Sequence, residues 1–197
     1  PRVIEGVDGK VNDGDTIIFF NFRSDRTRQL TTAFLDENFD KFPKRKIDKL
    51  NFISFIPYGT EKELELNTQS AFETVKINNT LGKYFADKGM RQFHIAETEK
   101  YAHVTYFVNG NQNEPYQMED RILVPSPDVK SYDLKPEMSA EEVKNELIKH
   151  IQRNEYSFTI CNFANGDMVG HTGVFNAAVK AVEFLDSKIK EVADACL

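Results

Sequence analysis

The sequence has no long apolar run and no excess of basic residues, and these two shortages exclude two classes of partner. No apolar stretch approaches the roughly 20 residues of a membrane-spanning helix, and the N-terminal residues lack a signal-peptide core. We therefore expect no membrane contact. Lysine and arginine number 25 against 31 aspartates and glutamates, which gives a net charge of −6. Since general nucleic-acid binding depends on a basic surface, we expect no nucleic-acid partner.

Cysteine is also scarce, with two residues in a chain of 197. Cys161 lies in an apolar stretch and Cys196 near the C-terminus, so a structural disulfide is not expected and a reducing, cytoplasmic location is the default. The remaining composition, 40% hydrophobic and 28% charged, is that of a globular protein with one large domain or parts of two. The first residue is not methionine, which fits a segment of a longer protein.

The stretch at residues 156–174 has the layout of a metal site. Residues 157–163 are apolar and aromatic, as expected of a strand covered on both faces, and helical periodicity begins at residue 174. The loop between them carries Asp167, His171 and glycines that permit tight turns. Ligands bind at the carboxyl ends of strands in open α/β sheets, and a carboxylate with an imidazole suits a divalent ion such as Mn²⁺ or Zn²⁺. The alternative is a loop-capping aspartate beside a surface histidine, because two ligands do not complete a catalytic site.

A second candidate site lies where the first apolar strand meets a helical pattern. Ser24 or Asp25 can cap this helix. Arg23 and Arg26 lie near its N-terminus, where free N–H groups and the helix dipole favour an anion, and arginine adds bidentate donors suited to phosphate or carboxylate. The alternative is an ordinary surface ion pair with Asp25 or Asp36.

The rest of the chain alternates between strand and helix patterns, which predicts an α/β fold. Strands are predicted at residues 13–22, 50–56, 92–97, 103–110 and 157–163. Helices are predicted at residues 23–39, 81–88, 140–151 and 174–196. The segment from residue 109 to the helix that begins at Ser139 is expected to be a loop. We place a domain boundary in the polar connection at residues 61–80, where the composition changes and the pattern restarts.

Three helix features are specific predictions. Gly89 should be the C-cap after the helix at residues 81–88, and Ser139 with Glu142 should form a capping box. In the following helix, the apolar face comprises Val143, Leu147, Ile148 and Ile151. In the last helix, the residues expected to face the core are Phe175, Val179, Val182, Leu185, Ile189 and Val192.

Several motifs, in sequence order, resemble one protein family. The segments are ICNFANGDMVGHTGVFNAAVKAVEFLD around Asp167, FFNFRSDRTRQL around Arg23, and AETEKYAHVTYFVNG around Lys100. They are similar to segments of the cofactor-independent (2,3-bisphosphoglycerate-independent) phosphoglycerate mutases, members of the alkaline phosphatase superfamily. The segment MEDRILVPSP also matches, although Asn111 and Met118 stand where glycine is usual in that family. The resemblance covers nearly the whole chain.

The resemblance implies a mostly parallel sheet flanked by helices on both faces, as in part of the alkaline phosphatase fold, preceded by the end of a second α/β domain. Residues 1–73 would be the C-terminal part of the transferase (substrate-binding) domain with its linker. Residues 74–197 would be part of the metal-binding phosphatase domain. The family's serine nucleophile, an early aspartate ligand, and a later Asp-His pair and last histidine have no counterpart here, so we expect an internal fragment.

By the same resemblance, the complete enzyme is an isomerase that interconverts 3-phosphoglycerate and 2-phosphoglycerate in glycolysis and gluconeogenesis through a phosphoserine intermediate. Asp167 and His171 look like ligands of one of two divalent ions, expected to be Mn²⁺. Lys100 looks like a catalytic and substrate-binding residue that neutralises the phosphoryl group, and Arg23 and Arg26 look like the groups that bind phosphoglycerate. No 2,3-bisphosphoglycerate is implied as a cofactor, and we expect the full-length enzyme to be a monomer.

Other interpretations remain open. Another phosphohydrolase or phosphomutase of the superfamily, such as a phosphopentomutase, would share the Asp-x-x-x-His spacing but should lack the motifs around Arg23 and Lys100. A non-catalytic phosphate-binding module would explain the absent serine and metal ligands directly. For Lys100 alone, the other interpretation is a surface ion pair with Glu97 or Glu99.

We predict that residues 1–197 alone do not isomerise phosphoglycerate, because the nucleophile and most metal ligands of the family have no counterpart in them. Coupling 2-phosphoglycerate formation to enolase measures turnover, with an intact phosphoglycerate mutase at the same metal concentration as the control. Reproducible metal-dependent turnover by the purified chain would contradict the fragment interpretation.

Overall fold

The computed structural model describes residues 4–23, 26–58, 68–73, 75 and 77–197. The chain divides into two compact units, Pro1–Val75 and Lys76–Leu197. This division falls two residues after the expected boundary between residues 73 and 74. In the part of the chain that is described, no helix has both the length and the apolar character needed to cross a membrane.

Each unit contains a three-stranded parallel sheet with accompanying helices. The described elements of the first unit are β1 (Thr16–Phe19), α1 (Thr27–Leu35), β2 (Asn51–Ser54) and β3 (Gln69–Ser70). Those of the second unit are α2 (Leu81–Asp87), β4 (Gln92–Glu97), α3 (Tyr101–Val104), β5 (Glu119–Val124), α4 (Ala140–Ile151), β6 (Phe158–Asn162), α5 (Asn165–Gly170) and α6 (Phe175–Cys196). Two short 3₁₀ turns lie at Thr98–Lys100 and Tyr132–Leu134.

The first unit is organised around β2, which lies between β1 and β3. Phe52 on this strand and Tyr58 just after it are almost completely buried. The Tyr58 hydroxyl lies 2.7 Å from the carbonyl oxygens of both Phe19 and Asn21. These contacts fix the chain at the carboxyl end of β1, immediately before Arg23, because a buried hydroxyl needs a hydrogen-bond partner.

The second unit is organised around β4, which pairs with β5 on one side and β6 on the other. All six residues of β4 are buried. The apolar core joins this strand to α4, as expected when parallel strands are connected by helices that cover the sheet. Its fully buried members are Phe93, Ile95, Val124, Val143 and Leu147. The predicted α/β class, with parallel strands and helices, is therefore confirmed.

The connection between β4 and β5 differs from the prediction, because residues 103–110 form α3 and successive turns instead of a strand. The Thr105 hydroxyl donates to the Tyr101 carbonyl oxygen at 2.7 Å, and the Asn109 N–H donates to the Thr105 carbonyl oxygen at 3.0 Å. These local bonds satisfy groups that a strand would pair elsewhere. The neighbouring position on β4 is taken by β5, which lies in the segment predicted to be a loop.

The two residues that stand where glycine is usual in the mutases adopt left-handed backbone angles. Asn111 has φ of +68° and Met118 has φ of +67°. Asparagine tolerates this region, whereas it costs other residues about 1–2 kcal/mol. The segment therefore keeps a conformation that favours glycine. The C-cap of α2 is Lys88, one residue before the predicted Gly89, and Gly89 closes the helix in the left-handed conformation with φ of +65°.

The N-terminus of α4 is not closed by the predicted capping box. The Ser139 hydroxyl donates to the Pro125 carbonyl oxygen at 2.7 Å, so it does not cap its own helix. The carboxyl of Glu97, which lies near the Ser139 backbone, accepts from the Ser126 hydroxyl at 3.0 Å. Burial of Glu97 raises its pKa, and the Ser126 hydrogen bond and the Ser139 backbone oppose that rise. The Ser139 side chain is thus bound to the segment after β5 instead of to its own helix.

Four of the six apolar residues of α6 predicted to face the core are exposed, whereas Val192 is half-buried against the main core and Leu185 is half-buried. Phe175, Val179, Val182 and Ile189 have exposed fractions between 40% and 78%. The helix instead buries Ala177 and Ala181 against a small cluster containing Ala164, Val169 and Met138. Alanine lets the helix approach this cluster closely, and the larger apolar residues therefore point elsewhere. β6 was likewise expected to be covered on both faces, but its five residues are only half-buried.

Two valines on helices of the second unit give a matched test of this packing. Val143 on α4 is fully buried, whereas Val182 on α6 is 59% exposed. Val143→Ala should lower the free energy of unfolding by about 1.5–3 kcal/mol, because it removes buried methyl groups and leaves a cavity. Val182→Ala should change it by less than about 0.5 kcal/mol. Urea denaturation followed by circular dichroism measures both, and equal losses would contradict the exposed position of the α6 face.

Candidate metal and phosphate site

Lys100 ends the 3₁₀ turn that directly follows the central strand β4. Ser126 holds this turn from the segment after β5. Its N–H donates to the Thr98 hydroxyl at 3.1 Å, and its hydroxyl accepts from the Glu99 N–H at 3.3 Å. The same hydroxyl donates to the Glu97 carboxylate at 3.0 Å. These bonds define the backbone path that carries Lys100 away from the carboxyl end of the sheet.

Asp167 and His171 lie on α5 and at its C-cap, so the segment predicted to be a loop is a short helix. Their spacing of four residues puts them on one face of that helix, with His171 Nε2 3.3 Å from Asp167 Oδ1. Asn165 fixes the first residue of the helix, because its buried amide donates to the Pro136 carbonyl oxygen at 2.8 Å. Of the glycines at 166, 170 and 173, only Gly173 has positive φ.

The two motifs meet in an ion pair. The Lys100 ammonium donates to Asp167 Oδ2, although the residues are 67 positions apart in the sequence. Both residues were predicted to belong to the site. The lysine side chain is 14% exposed and the aspartate side chain 50% exposed. The alternative in which Lys100 pairs with Glu97 is wrong, because Glu97 is buried and bonded to Ser126, and the Lys100 ammonium contacts Asp167.

Positive charge surrounds the Asp167 carboxylate. Its pKa is lowered below the ordinary value of 3.8, first by the hydrogen bond from Lys100 and then by the charges of Lys100, His171 and His103. The structure therefore keeps this side chain ionised at neutral pH. An ionised carboxylate is the form that coordinates a metal.

His103 is a neighbour that the sequence did not assign to the site. It was expected to be a packing or surface residue, and its ring does contact Phe107, with centroids 5.3 Å apart. It also contributes to the field at Asp167. The spacing of the two residues could have indicated this role for His103. It lies on α3, three residues after the N-cap Lys100, and residues three apart lie on one face of a helix.

Tyr132 is a second residue that sequence reasoning missed. Its hydroxyl donates to Glu99 Oε1 at 2.9 Å. Burial, followed by this bond, raises the pKa of Tyr132 to about 12, so it stays a neutral donor. The contact ties the residue next to Lys100 to the 3₁₀ turn before α4. No local motif indicates the Tyr132–Glu99 contact, because the two residues are 33 positions apart in the sequence.

The donor chemistry of Asp167 and His171 fits a divalent ion. Two donors that each lie about 2.0–2.2 Å from one ion are themselves about 3–3.5 Å apart, and Oδ1 and Nε2 already have that separation. Carboxylate oxygen and imidazole nitrogen both bind first-row metals. Among the residues that the structure describes, no group of three histidine, cysteine or acidic side chains could hold a metal. The pair could therefore supply only part of a coordination sphere.

Arg23 and Arg26 lie in the first unit, after β1 and at the N-cap of α1. Both are exposed. The Arg23 N–H donates to Asn21 Oδ1 at 2.8 Å, and its carbonyl oxygen accepts from the Thr27 hydroxyl at 2.8 Å. The N–H and the carbonyl oxygen of Arg23 are thus both hydrogen-bonded. The predicted caps, Ser24 and Asp25, lie outside the described residues.

Comparison with known proteins supplies the family. A family model described as "Metalloenzyme superfamily" matches residues 26–197. The 2,3-bisphosphoglycerate-independent phosphoglycerate mutase 2 of Methanosarcina acetivorans is 50% identical over 199 aligned positions, which cover 99% of this chain and 37% of that protein. The corresponding mutase of Clostridium tetani is 52% identical over 189 positions, covering 96% of this chain and 36% of that protein.

A solved structure gives the same result for the fold. A crystal structure of Leishmania mexicana phosphoglycerate mutase at low cobalt concentration is similar, with a TM-score of 0.78 and 33% sequence identity over 95% of this chain and 34% of that one. The resemblance to the mutases and the α/β fold that it implied are confirmed. The chain spans little more than a third of the length of the relatives that it matches.

The ion pair makes a prediction about acidity. The pKa of Asp167, followed by carboxyl ¹³C NMR, should lie below its ordinary value of 3.8 and should rise in Lys100→Gln, because the hydrogen bond from Lys100 is the largest cause of the lowering. The pair's small stabilising contribution is present above the unfolded-state pKa and disappears as the pH falls through the folded-state pKa. Lys83→Gln, which removes a lysine paired with Asp87, is the control. An unchanged Asp167 pKa in Lys100→Gln would contradict the contact.

Proposed function

Because the chain belongs to the metalloenzyme superfamily, we propose that it is an internal part of a 2,3-bisphosphoglycerate-independent phosphoglycerate mutase. The complete enzyme interconverts 3-phosphoglycerate and 2-phosphoglycerate in glycolysis and gluconeogenesis. One observation carries this proposal: the Lys100 ammonium contacts Asp167, so the AETEK and Asp-x-x-x-His motifs form a single site. The identity of about half of all aligned residues with named mutases supports the choice of reaction.

Asp167 and His171 hold one of two divalent ions, with Mn²⁺ as the proposed metal. Their donor atoms have the separation that two ligands of one ion require. When bound, the ions activate a serine nucleophile and offset phosphoryl charge. The serine and the remaining ligands belong to parts of the enzyme without counterparts in this sequence. No 2,3-bisphosphoglycerate takes part.

Lys100 stabilises the phosphoryl group during its transfer to the serine and back to the other hydroxyl of glycerate. Its side chain is only 14% exposed, so its charge is poorly screened by water. Phosphoryl transfer depends chiefly on positioning and on such charge stabilisation. The ammonium therefore acts on the charge of the group in transit rather than as a proton donor.

Arg23 and Arg26 hold the phosphate or carboxylate of phosphoglycerate while the glycerate reorients. The hydrogen bonds of the Arg23 N–H and carbonyl oxygen support this role, because a substrate-binding side chain gains specificity from a well-positioned attachment. Residues 1–73 thus belong to a transferase domain, and residues 74–197 belong to a phosphatase domain. The enzyme works in the cytoplasm as a monomer.

The arginines test the proposal in the complete enzyme. Charge-assisted hydrogen bonds contribute roughly 1.5–3 kcal/mol each, so Arg23→Ala and Arg26→Ala should each lower kcat/KM by at least about tenfold. Arg28→Ala is the matched control on the same helix and should stay within about twofold. Enolase-coupled kinetics with 3-phosphoglycerate measure all three variants. Unaltered kinetics in both Arg23→Ala and Arg26→Ala would contradict the proposal that these arginines bind the substrate.

A further inference from the structure

The Lys100 ammonium contacts the same carboxylate that a metal would need, although at its other oxygen. Asp167 presents two carboxylate oxygens: Oδ2 accepts from the Lys100 ammonium, and Oδ1 lies 3.3 Å from His171 Nε2. The carboxylate therefore already has a cation on one side. A divalent ion that binds Asp167 has to share it with the ammonium or displace it.

The charges favour displacement. A divalent ion and an ammonium bound to one carboxylate repel each other at short distance, and this repulsion is poorly screened where the lysine is 14% exposed. His171 and His103 add to the positive field at Asp167 when they are protonated. Hence the pair of motifs that forms the site also opposes the entry of a cation into it.

We propose that Lys100 is a built-in competitor for the metal at Asp167, and that metal loading releases its ammonium for an anion. The proposal rests on the assignment of Asp167 as a metal ligand, which is part of the proposed function. It adds a regulatory step to that site. Without metal, the counter-ion of Lys100 is the Asp167 carboxylate. When the metal binds Asp167, the lysine pairs with an anion from solution instead.

The burial of Lys100 determines what the exchange requires. A mostly covered lysine side chain that loses its carboxylate gains from another negative partner, because an unpaired charge in partly desolvated surroundings is unfavourable. A phosphoryl or phosphate group supplies that partner with several acceptor oxygens. Metal binding and anion binding at Lys100 then favour each other, and the coupling is reciprocal.

The contrasting possibility is that Lys100 supports metal binding by orienting the carboxylate. In that case its removal would leave Asp167 less ordered and would weaken the affinity for metal. Competition makes the opposite prediction. The sign of the affinity change in a neutral variant therefore separates the two.

Titration of the whole chain with Mn²⁺ alone tests the proposal. Free Mn²⁺ is measured by electron paramagnetic resonance, which detects weak binding. Lys100→Gln should bind Mn²⁺ about three- to tenfold more tightly than the wild-type chain, because the competing charge is gone, whereas Lys100→Arg should not gain affinity. Asp167→Ala in the Lys100→Gln background should remove the gain.

Lys83→Gln is the matched control for net charge. Lys83 forms an ordinary ion pair with Asp87 in the same unit, so its removal changes the total charge equally without touching Asp167. Its Mn²⁺ affinity should stay within about twofold of the wild type. An equal or weaker affinity in Lys100→Gln, or no detectable binding by either protein at millimolar Mn²⁺, would overturn the proposal.

A second measurement follows the released amine. Acetylation of Lys100 by an amine-reactive reagent, quantified by mass spectrometry, should be slow without metal and faster with Mn²⁺, while acetylation of Lys83 stays constant. Asp167→Ala should make Lys100 reactive without metal. A reaction rate that Mn²⁺ leaves unchanged contradicts release. Neither measurement uses phosphoglycerate, so each can succeed or fail independently of the arginine kinetics that test the mutase assignment.

Discussion

Parallel pairing of β4 with β6 is the constraint on which the candidate site depends. The register aligns Gln92 with Phe158 through Ala96 with Asn162, so the two strands end at the same edge of the sheet. Lys100 follows the first strand and Asp167 the second, which lets them meet across 67 positions. Parallel strands need a long connection, and the chain supplies one that contains β5 and α4. The separation of the motifs in sequence is therefore a consequence of the same topology that joins them in space.

The sequence predicted the elements and residues that can be recognised from periodicity and from motifs. It identified β4 and β6, the helices α2, α4 and α6, and the left-handed glycine that closes α2, because each depends on local pattern. Lys100, Asp167 and His171 were named from motifs, and the structure brings these three together. The roles of Arg23 and Arg26 remain predictions. A local pattern could indicate all five residues, but it could not indicate that Lys100 pairs with Asp167 rather than with its acidic neighbours.

Long-range contacts account for what the sequence did not reveal. The alternating apolar residues between 103 and 110 suit a strand, yet β5 already occupies that side of the central strand. The predicted capping box does not form because the Ser139 hydroxyl donates to the carbonyl oxygen of Pro125, which is 14 positions away in the sequence. Most of the apolar residues predicted to bury α6 are exposed, because Ala177 and Ala181 fit the neighbouring cluster more closely than larger residues would. In each case a partner distant in sequence overrides a correct local preference.

Charge balance limits what this site can bind by itself. One carboxylate faces the Lys100 ammonium and the fields of two histidines, so a cation gains a single negative ligand and meets opposing positive charge. Further carboxylates from other segments would reverse that balance, as metal sites with more ligands do. With the carboxylate committed to a metal, the same lysine becomes an attractive site for an anion. The Lys100–Asp167 pair disfavours the binding of a cation by itself. In a site completed by further ligands, the same two residues would bind a metal and a phosphoryl group together.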